Sequence, residues 1–240
     1  MPLRELAERR NLLHRKSDAS TLLRHVLTDP KLGRTCLVSS FGADSVVLLH
    51  LVAQLNRDLP VLFLDTEMLF PETLRYQRDV AQHLDLTDVR VITPDRTDVL
   101  QQDVDGLLHQ AFPDACCHLR KVQPLERALA GFDSWITGRK RIQNGQRSTL
   151  PLFEKAQSRI KINPLAHWSA QQVQDYMRAH DLPPHPLVAD GYPSVGCWPC
   201  TTKVSAGEPV RAGRWRGFTK TECGIHSSAA QSPSPQEAKI

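Results

Sequence analysis

Aromatic side chains are scarce here, 6% of 240 residues, which argues against the stacking platforms that bind single-stranded nucleic acid. Long apolar runs are missing too: no stretch approaches the roughly 20 apolar residues of a membrane span. The opening MPLRELAERRNLLHRK is charged throughout and has no apolar centre of the kind a secretion signal needs. Charge of one sign is also lacking. A net charge of +4 and a pI near 8.8 are mildly basic, far from a protein that coats nucleic acid. The reading is therefore no membrane, no nucleic acid, and a cytoplasmic location, where thiols stay reduced. Six cysteines in that compartment serve as ligands or nucleophiles more readily than as disulfides.

What is present suffices for a sizeable core, with 40% hydrophobic residues in a length that suits one α/β domain with an added tail. Residues 1–30 read as helix, closed by Asp29-Pro30. Short apolar strands follow at 36–40, 61–65, 89–93 and 134–138, alternating with helical periodicity over 46–55, 72–84 and about 119–130. That alternation predicts a parallel sheet flanked by helices, with ligands at the carboxyl ends of its strands. Three polar loops begin there: Ser39-Ser40-Phe41-Gly42, Asp65-Thr66-Glu67 and Thr137-Gly138-Arg139. A helix over 169–180 runs into a proline-rich loop. From Gly191 onward the chain is rich in Gly, Cys and Arg with little periodicity, and 227–240 reads as a disordered tail.

The cysteines divide into three kinds. Cys36 lies in an apolar strand and reads as a small buried hydrophobe. Cys116-Cys117 and Cys197-Trp-Pro-Cys200 together offer four thiolates. A CxxC pair alone is shared by zinc sites, redox disulfides and iron–sulfur ligation. Adjacent cysteines reach a single zinc with difficulty, whereas each can take a separate iron of a larger cluster. Cys223 stands apart, after Arg211, Arg214, Arg216 and Lys220 and before Gly224. Nearby cations lower a thiol pKa, Glu222 opposes them, and an inert cysteine in a mobile end is the competing reading.

The turn Ser39–Ser45 follows a strand and opens a helix, so its N–H groups and the helix dipole suit an anion. It has one glycine and no Lys-Ser or Lys-Thr pair, so it is not a Walker loop. Two arginine-rich clusters, Arg139-Lys140-Arg141 and Arg211 to Arg216, read either as solvated surface or as contacts to an anionic small ligand.

Taken together, SSFGADS (39–45), LDTEMLFPET (64–73), CCHLRKVQPL (116–125), GYPSVGCWPCT (191–201), RAGRWRG (211–217) and ECGIH (222–226) resemble the assimilatory sulfonucleotide reductases. The match is to their cluster-containing adenylylsulfate reductases, and it spans about residues 35–226. The resemblance implies an adenine-nucleotide α-hydrolase-like fold in a single domain over 1–226, with a flexible catalytic segment at about 205–226. It implies a [4Fe–4S] cluster on Cys116, Cys117, Cys197 and Cys200, with Cys223 as nucleophile. Ser39, Ser40, Phe41 and Gly42 would grip the phosphosulfate, Leu64 and Thr66 would line the adenosine side, and Gly138 would approach the nucleotide closely. Lys121 would reach between cluster and substrate. Arg211, Arg214 and His226 would close over the anion, and Arg147 would help hold the phosphate loop. The activity implied is reduction of adenylylsulfate to sulfite and AMP in sulfate assimilation and cysteine biosynthesis, through an S-sulfocysteine, with thioredoxin or glutaredoxin as donor. The sister substrate, 3′-phosphoadenylylsulfate, stands as the alternative, and the run 139–141 is where its extra phosphate could be read. The family pattern has two arginines and then an acidic residue with Gln-Ser after Thr137-Gly138; here the chain reads Arg-Lys-Arg-Ile-Gln-Asn. A homo-oligomer is compatible with all of this.

Overall fold

A computed structural model describes residues 1–143 and 145–226; the expected tail at 227–240 lies outside the described residues. The N-terminal region forms two helices rather than one, α1 (Leu3–His14) and α2 (Ala19–Thr28). The break falls where Asp18 caps α2, its carboxylate accepting the Thr21 N–H at 2.8 Å; satisfying an orphan helix donor outweighs continuing α1.

The chain then builds β1 (Thr35–Ser39), α3 (Ser45–Ala53), β2 (Val61–Leu64), α4 (Pro71–His83), β3 (Val89–Ile92) and α5 (Arg96–Gln102). Next come α6 (Leu108–Ala111), α7 (Pro113–Cys117), a π-helical turn (His118–Val122) and α8 (Gln123–Ala128). β4 (Ser134–Thr137), β5 (Phe153–Ala156), β6 (Arg159–Ile162) and α9 (Ala170–Ala179) complete the regular structure. All four expected strands are present. The hairpin β5–β6 is an addition to the expectation, as are the short helices α5 to α7.

The sheet order is β3-β2-β1-β4-β6-β5, parallel except for β5. Helices cover both faces, which is why β1, β2 and β4 read as nearly unbroken apolar runs. Leu37, Val61, Phe63, Ile136, Ile160 and Ile162 face a large core shared with α1 to α4 and α9. Cys36, Val38, Leu62, Leu64 and Trp135 face a smaller one beneath α8. Burial pushes the Cys36 thiol up to about 12, so it is an inert hydrophobe as expected. The edge strand β5 is finished by a side chain: the Asn11 amide accepts from the Phe153 N–H at 2.9 Å and donates to its carbonyl at 2.7 Å. Among the described residues no helix is long and apolar enough to cross a membrane.

Strand order reverses at β1. The chain steps from β1 through β2 to β3 in one direction, then returns to place β4 on the other side of β1. The loops leaving β1 and β4 therefore splay apart and open a crevice at the carboxyl edge, where doubly wound sheets bind ligands. Register places Val38 beside Thr137, so Ser39–Gly42 and Gly138 flank that crevice.

Candidate active site

Four cysteines from two distant segments line one small cavity, together with Met68, His109, Arg120, Lys121 and Pro199. Cys116 and Cys117 end α7 immediately before the π-helical turn, an irregularity that recurs at functional sites. Cys197 and Cys200 are carried in by main-chain pairing with the loop after β2. Leu69 bridges Cys197, and the Trp198 N–H donates to the Met68 carbonyl at 2.9 Å. The two halves are tied by Arg120, which pairs with fully buried Asp103 at 2.8 Å and donates to the Thr66 carbonyl at 3.1 Å. Removing either partner of such a buried pair typically costs about 3–5 kcal/mol, which marks Arg120 as structural.

All four thiols are free. Burial, then the neighbouring thiols Cys117 and Cys197, pushes Cys116 up to about 12. Burial likewise raises Cys117 and Cys200. Burial would raise Cys197 too, but the Lys121 ammonium and the Thr66 hydroxyl, 3.2 Å from its sulfur, outweigh it and hold this thiol below its ordinary value. A soft sulfur-rich set that is costly to ionise alone suits a bound metal, which takes thiolates outright. No group of three His, Cys, Asp or Glu side chains among the described residues is arranged to hold a single metal ion.

The turn after β1 is organised by its serines. The Phe41 N–H donates to Ser39 Oγ at 3.2 Å and the Gly42 N–H to Ser45 Oγ at 2.9 Å. Phe41 takes a positive φ of 45° and is fully buried edge-on against Phe63; that packing holds the strained backbone. Ser40 is exposed at the crevice. At Gly138 an added Cβ would meet only Leu48 at 3.7 Å. That is an ordinary contact, so the fold itself does not demand glycine there. Thr66 is buried beneath the cysteine cavity, and Leu64 sits within the smaller core.

The basic run after Gly138 is not simply solvated surface: its cations meet acceptors within the fold. Arg139 bonds Asn163 Oδ1 at 3.0 Å and pairs with Glu154; Lys140, 1% exposed, pairs with Asp44 at 3.1 Å; Arg141 donates to the Leu150 carbonyl at 2.8 Å. Acceptors distant in the chain take up each cation, so the run fastens β4 to α3 and to the β5–β6 hairpin.

Free cationic character gathers instead around Cys223. Arg211 and Arg214 lie over the Trp215 ring, their guanidinium carbons 6.0 and 4.6 Å from its centroid. Trp215 is held by its backbone N–H, which donates to the Cys200 carbonyl at 3.0 Å. Arg214 donates to the Val195 carbonyl at 3.0 Å while its Nε is buried without a partner among the described residues. It crosses Gly196 so closely that a Cβ there would lie 2.2 Å from Nη2, so any side chain at 196 would displace the guanidinium from this position. Val195 also borders Gly42, and the turn after β1 and Arg214 thus share a wall. Lys121 is buried beside Cys197, Cys117 and Cys223; burial works against its charge, and those thiols outweigh burial and raise its pKa. Arg147, expected at the phosphate loop, grips Glu222, next to Cys223, through two bonds of 2.5 and 2.6 Å, and also bonds Gln143. His226 stacks on Trp135 with ring centroids 6.1 Å apart and planes 9° from parallel. Burial, then Arg139 and Lys161, lowers its pKa well below the usual value, so the imidazole is neutral. Gly224 meets Val122 of the π-helical turn, where a Cβ would lie 3.1 Å from a methyl.

Trp135, Lys161, Trp215 and Glu222 are the site-forming residues without a role in the sequence reading. Only Glu222, by adjoining Cys223, carried a local signal.

Comparison with known proteins agrees with this geometry. The sequence signature of the phosphoadenosine phosphosulfate reductase domain matches residues 34–203. The adenosine 5′-phosphosulfate reductase of Mesorhizobium japonicum is 54% identical over 194 residues, covering 81% of this chain and 76% of its own. That of Mycolicibacterium smegmatis is 41% identical over 229 residues, covering 94% and 95%. Among solved structures, phosphoadenylyl-sulfate reductase from Candida auris, in a phosphate complex, superposes with a TM-score of 0.70 at 27% identity, covering 85% of this chain and 98% of that one. Yeast FAD synthetase shares the fold alone, with a TM-score of 0.53 at 16% identity over 85% of this chain and 77% of that one. With a domain signature across most of its length and relatives of this similarity, the chain belongs to the phosphoadenosine phosphosulfate reductase family.

Proposed function

We propose that this chain is an adenylylsulfate reductase that forms an S-sulfocysteine on Cys223. The observation that carries the reading is the company Cys223 keeps: the one thiol outside the cysteine cavity and the apolar core stands near Lys121, Arg139 and Arg211. In the first step the Cys223 thiolate attacks the sulfate sulfur, the S–O bond to phosphate breaks, and AMP leaves with the electron pair. A thiolate of a dithiol protein, thioredoxin or glutaredoxin, then attacks Cys223 Sγ and sulfite leaves with the S–S electron pair. The donor's second thiol resolves the mixed disulfide, returning Cys223 as thiolate and leaving the donor oxidised by two electrons. Lys121, Arg211 and Arg214 stabilise the sulfonate charge in a largely dehydrated site. Ser39–Gly42, with α3 behind it, holds the phosphate side, and Gly138 borders the adenosine. Mixing the protein with adenylylsulfate in the absence of a dithiol should add one sulfonate to the peptide bearing Cys223, read by mass spectrometry. An adduct on another cysteine would refute the assignment.

Cys116, Cys117, Cys197 and Cys200 are the residues that would hold a [4Fe–4S] cluster. Bound there, it would supply a fixed charge distribution beside Lys121. Supporting this, the four free thiols line one cavity, and an adjacent pair suits separate iron corners better than one zinc. Anaerobically purified protein should be brown and contain iron and acid-labile sulfide in equal amounts, about four of each per chain. Stoichiometric zinc without sulfide would end this reading.

Adenylylsulfate is proposed over its 3′-phosphorylated form. Arg139, Lys140 and Arg141 are already paired inside the fold, and a phosphate that recruited them would have to break buried ion pairs. The kcat/KM ratio should favour adenylylsulfate by at least about tenfold, or 1.4 kcal/mol. A ratio near one, or its reverse, would overturn the choice.

A further inference from the structure

Lys161 has no part in the reaction just described, yet its amine is buried next to the nucleophile segment. It sits on β6 in register with Trp135 of β4, on the same face of the sheet, with its ammonium 4.7 Å from the indole centroid. Trp135 is also where the C-terminal segment lands: His226 stacks on its ring, and Ile225 packs into the small core around it. Cys223 is therefore held from both sides in the chain, by Glu222 on Arg147 and by Ile225-His226 on Trp135.

The charges facing Lys161 come from every neighbouring element. Glu154 of β5 lies 3.7 Å away. Arg139 after β4 and Arg147 oppose its charge, while Cys223 and Glu222 of the terminal segment favour it. Burial, then Arg139 and Arg147, pushes the amine down to about 7. Without the terminal segment, Lys161 would keep Arg139, Arg147 and Glu154 as neighbours and lose Cys223 and Glu222, which favour its charge.

We propose that Lys161 is a positioning residue for Cys223: with Trp135 it forms the seat on which Ile225 and His226 dock, and seating them carries Cys223 into the ring of cations. The effect on turnover rests on Cys223 being the nucleophile; the seat itself does not, so it is tested first without substrate. Tryptic cleavage after Lys220, followed by mass spectrometry, reads how often the segment leaves its seat. Lys161→Met should speed that cleavage at least about fivefold over wild type, and Lys161→Arg should restore most of the protection. His226→Ala should speed it similarly, and the double variant should be little faster than either single one, because both act through one contact. Equal cleavage in wild type and Lys161→Met, or fully additive effects, would overturn the seat. If Lys161→Met does not fold, Trp135→Phe decides by the same measurement, faster cleavage supporting the seat and unchanged cleavage refuting it.

Turnover then separates positioning from substrate contact. Lys161→Met should lower kcat at least about tenfold, while nucleotide affinity, measured in a Cys223→Ser background, stays within about threefold. An equal loss of nucleotide affinity would make Lys161 a substrate ligand and refute the positioning role. If wild type itself releases no sulfite, the proposed reaction fails, and the cleavage experiment still decides the seat.

Discussion

Cys223→Ser should release no measurable sulfite, a loss of at least about a thousandfold, while binding nucleotide within about threefold of wild type. A serine hydroxyl is far less acidic than a thiol, and a sulfate ester on serine has oxygen at the position where the dithiol must attack a divalent sulfur to release sulfite. The substitution is nearly isosteric, so Glu222 on Arg147 and His226 on Trp135 should hold the segment as before. The cysteine cavity lies outside the change, and the brown colour should persist. Retained turnover would remove Cys223 from the chemistry. Lost colour would instead make it a ligand.

The next largest effects are expected at Lys121 and Arg214. Deleting a charged donor aimed at developing negative charge typically costs about 2–4 kcal/mol, or roughly 30- to 1000-fold in kcat/KM. Arg214 is the stronger case for a ligand contact, since its Nε is buried without a partner among the described residues, a cost that a bound anion would remove. Its rigid placement over Trp215 and Gly196 predicts that Arg214→Lys recovers little, because a flexible ammonium cannot reproduce the planar fork. Lys121 faces Cys197 and Cys117 on one side and Cys223 on the other, so Lys121→Ala should depress sulfonation of Cys223 in a single turnover. Arg211 should matter less, because it already donates to the Thr221 carbonyl at 3.3 Å. Losses under about threefold in both Lys121→Ala and Arg214→Ala would retire the anion-stabilising role.

Much of the fold was legible because it is periodic. TCLVS, VLFL and SWIT are buried on both faces of a parallel sheet, and that burial writes itself into the sequence as apolar runs between helical stretches. The hairpin FEKA–RIKI was not legible. Its strands are short and interrupted by charge, and β5 is completed by Asn11, 142 residues away. The break at Asp18 carried a readable cap signal that the leucine spacing of 1–30 masked.

The cysteine pattern and ECGIH are local, so the sequence by itself determined the chemistry to look for: an adjacent pair, a CxxC pair and one separate thiol. Which cations serve that thiol was decided only by the tertiary structure. A run such as Arg139-Lys140-Arg141 looks identical in sequence whether it meets solvent, a phosphate or Asn163, Asp44 and the Leu150 carbonyl. The distinction lies in acceptors that folding delivers from 9 to 96 positions away. The same holds for Lys161 and Trp135, ordinary strand residues until register sets them side by side and the C-terminal segment lands on them. Charge and burial act through space, and sequence spacing records only the contacts that lie within one element.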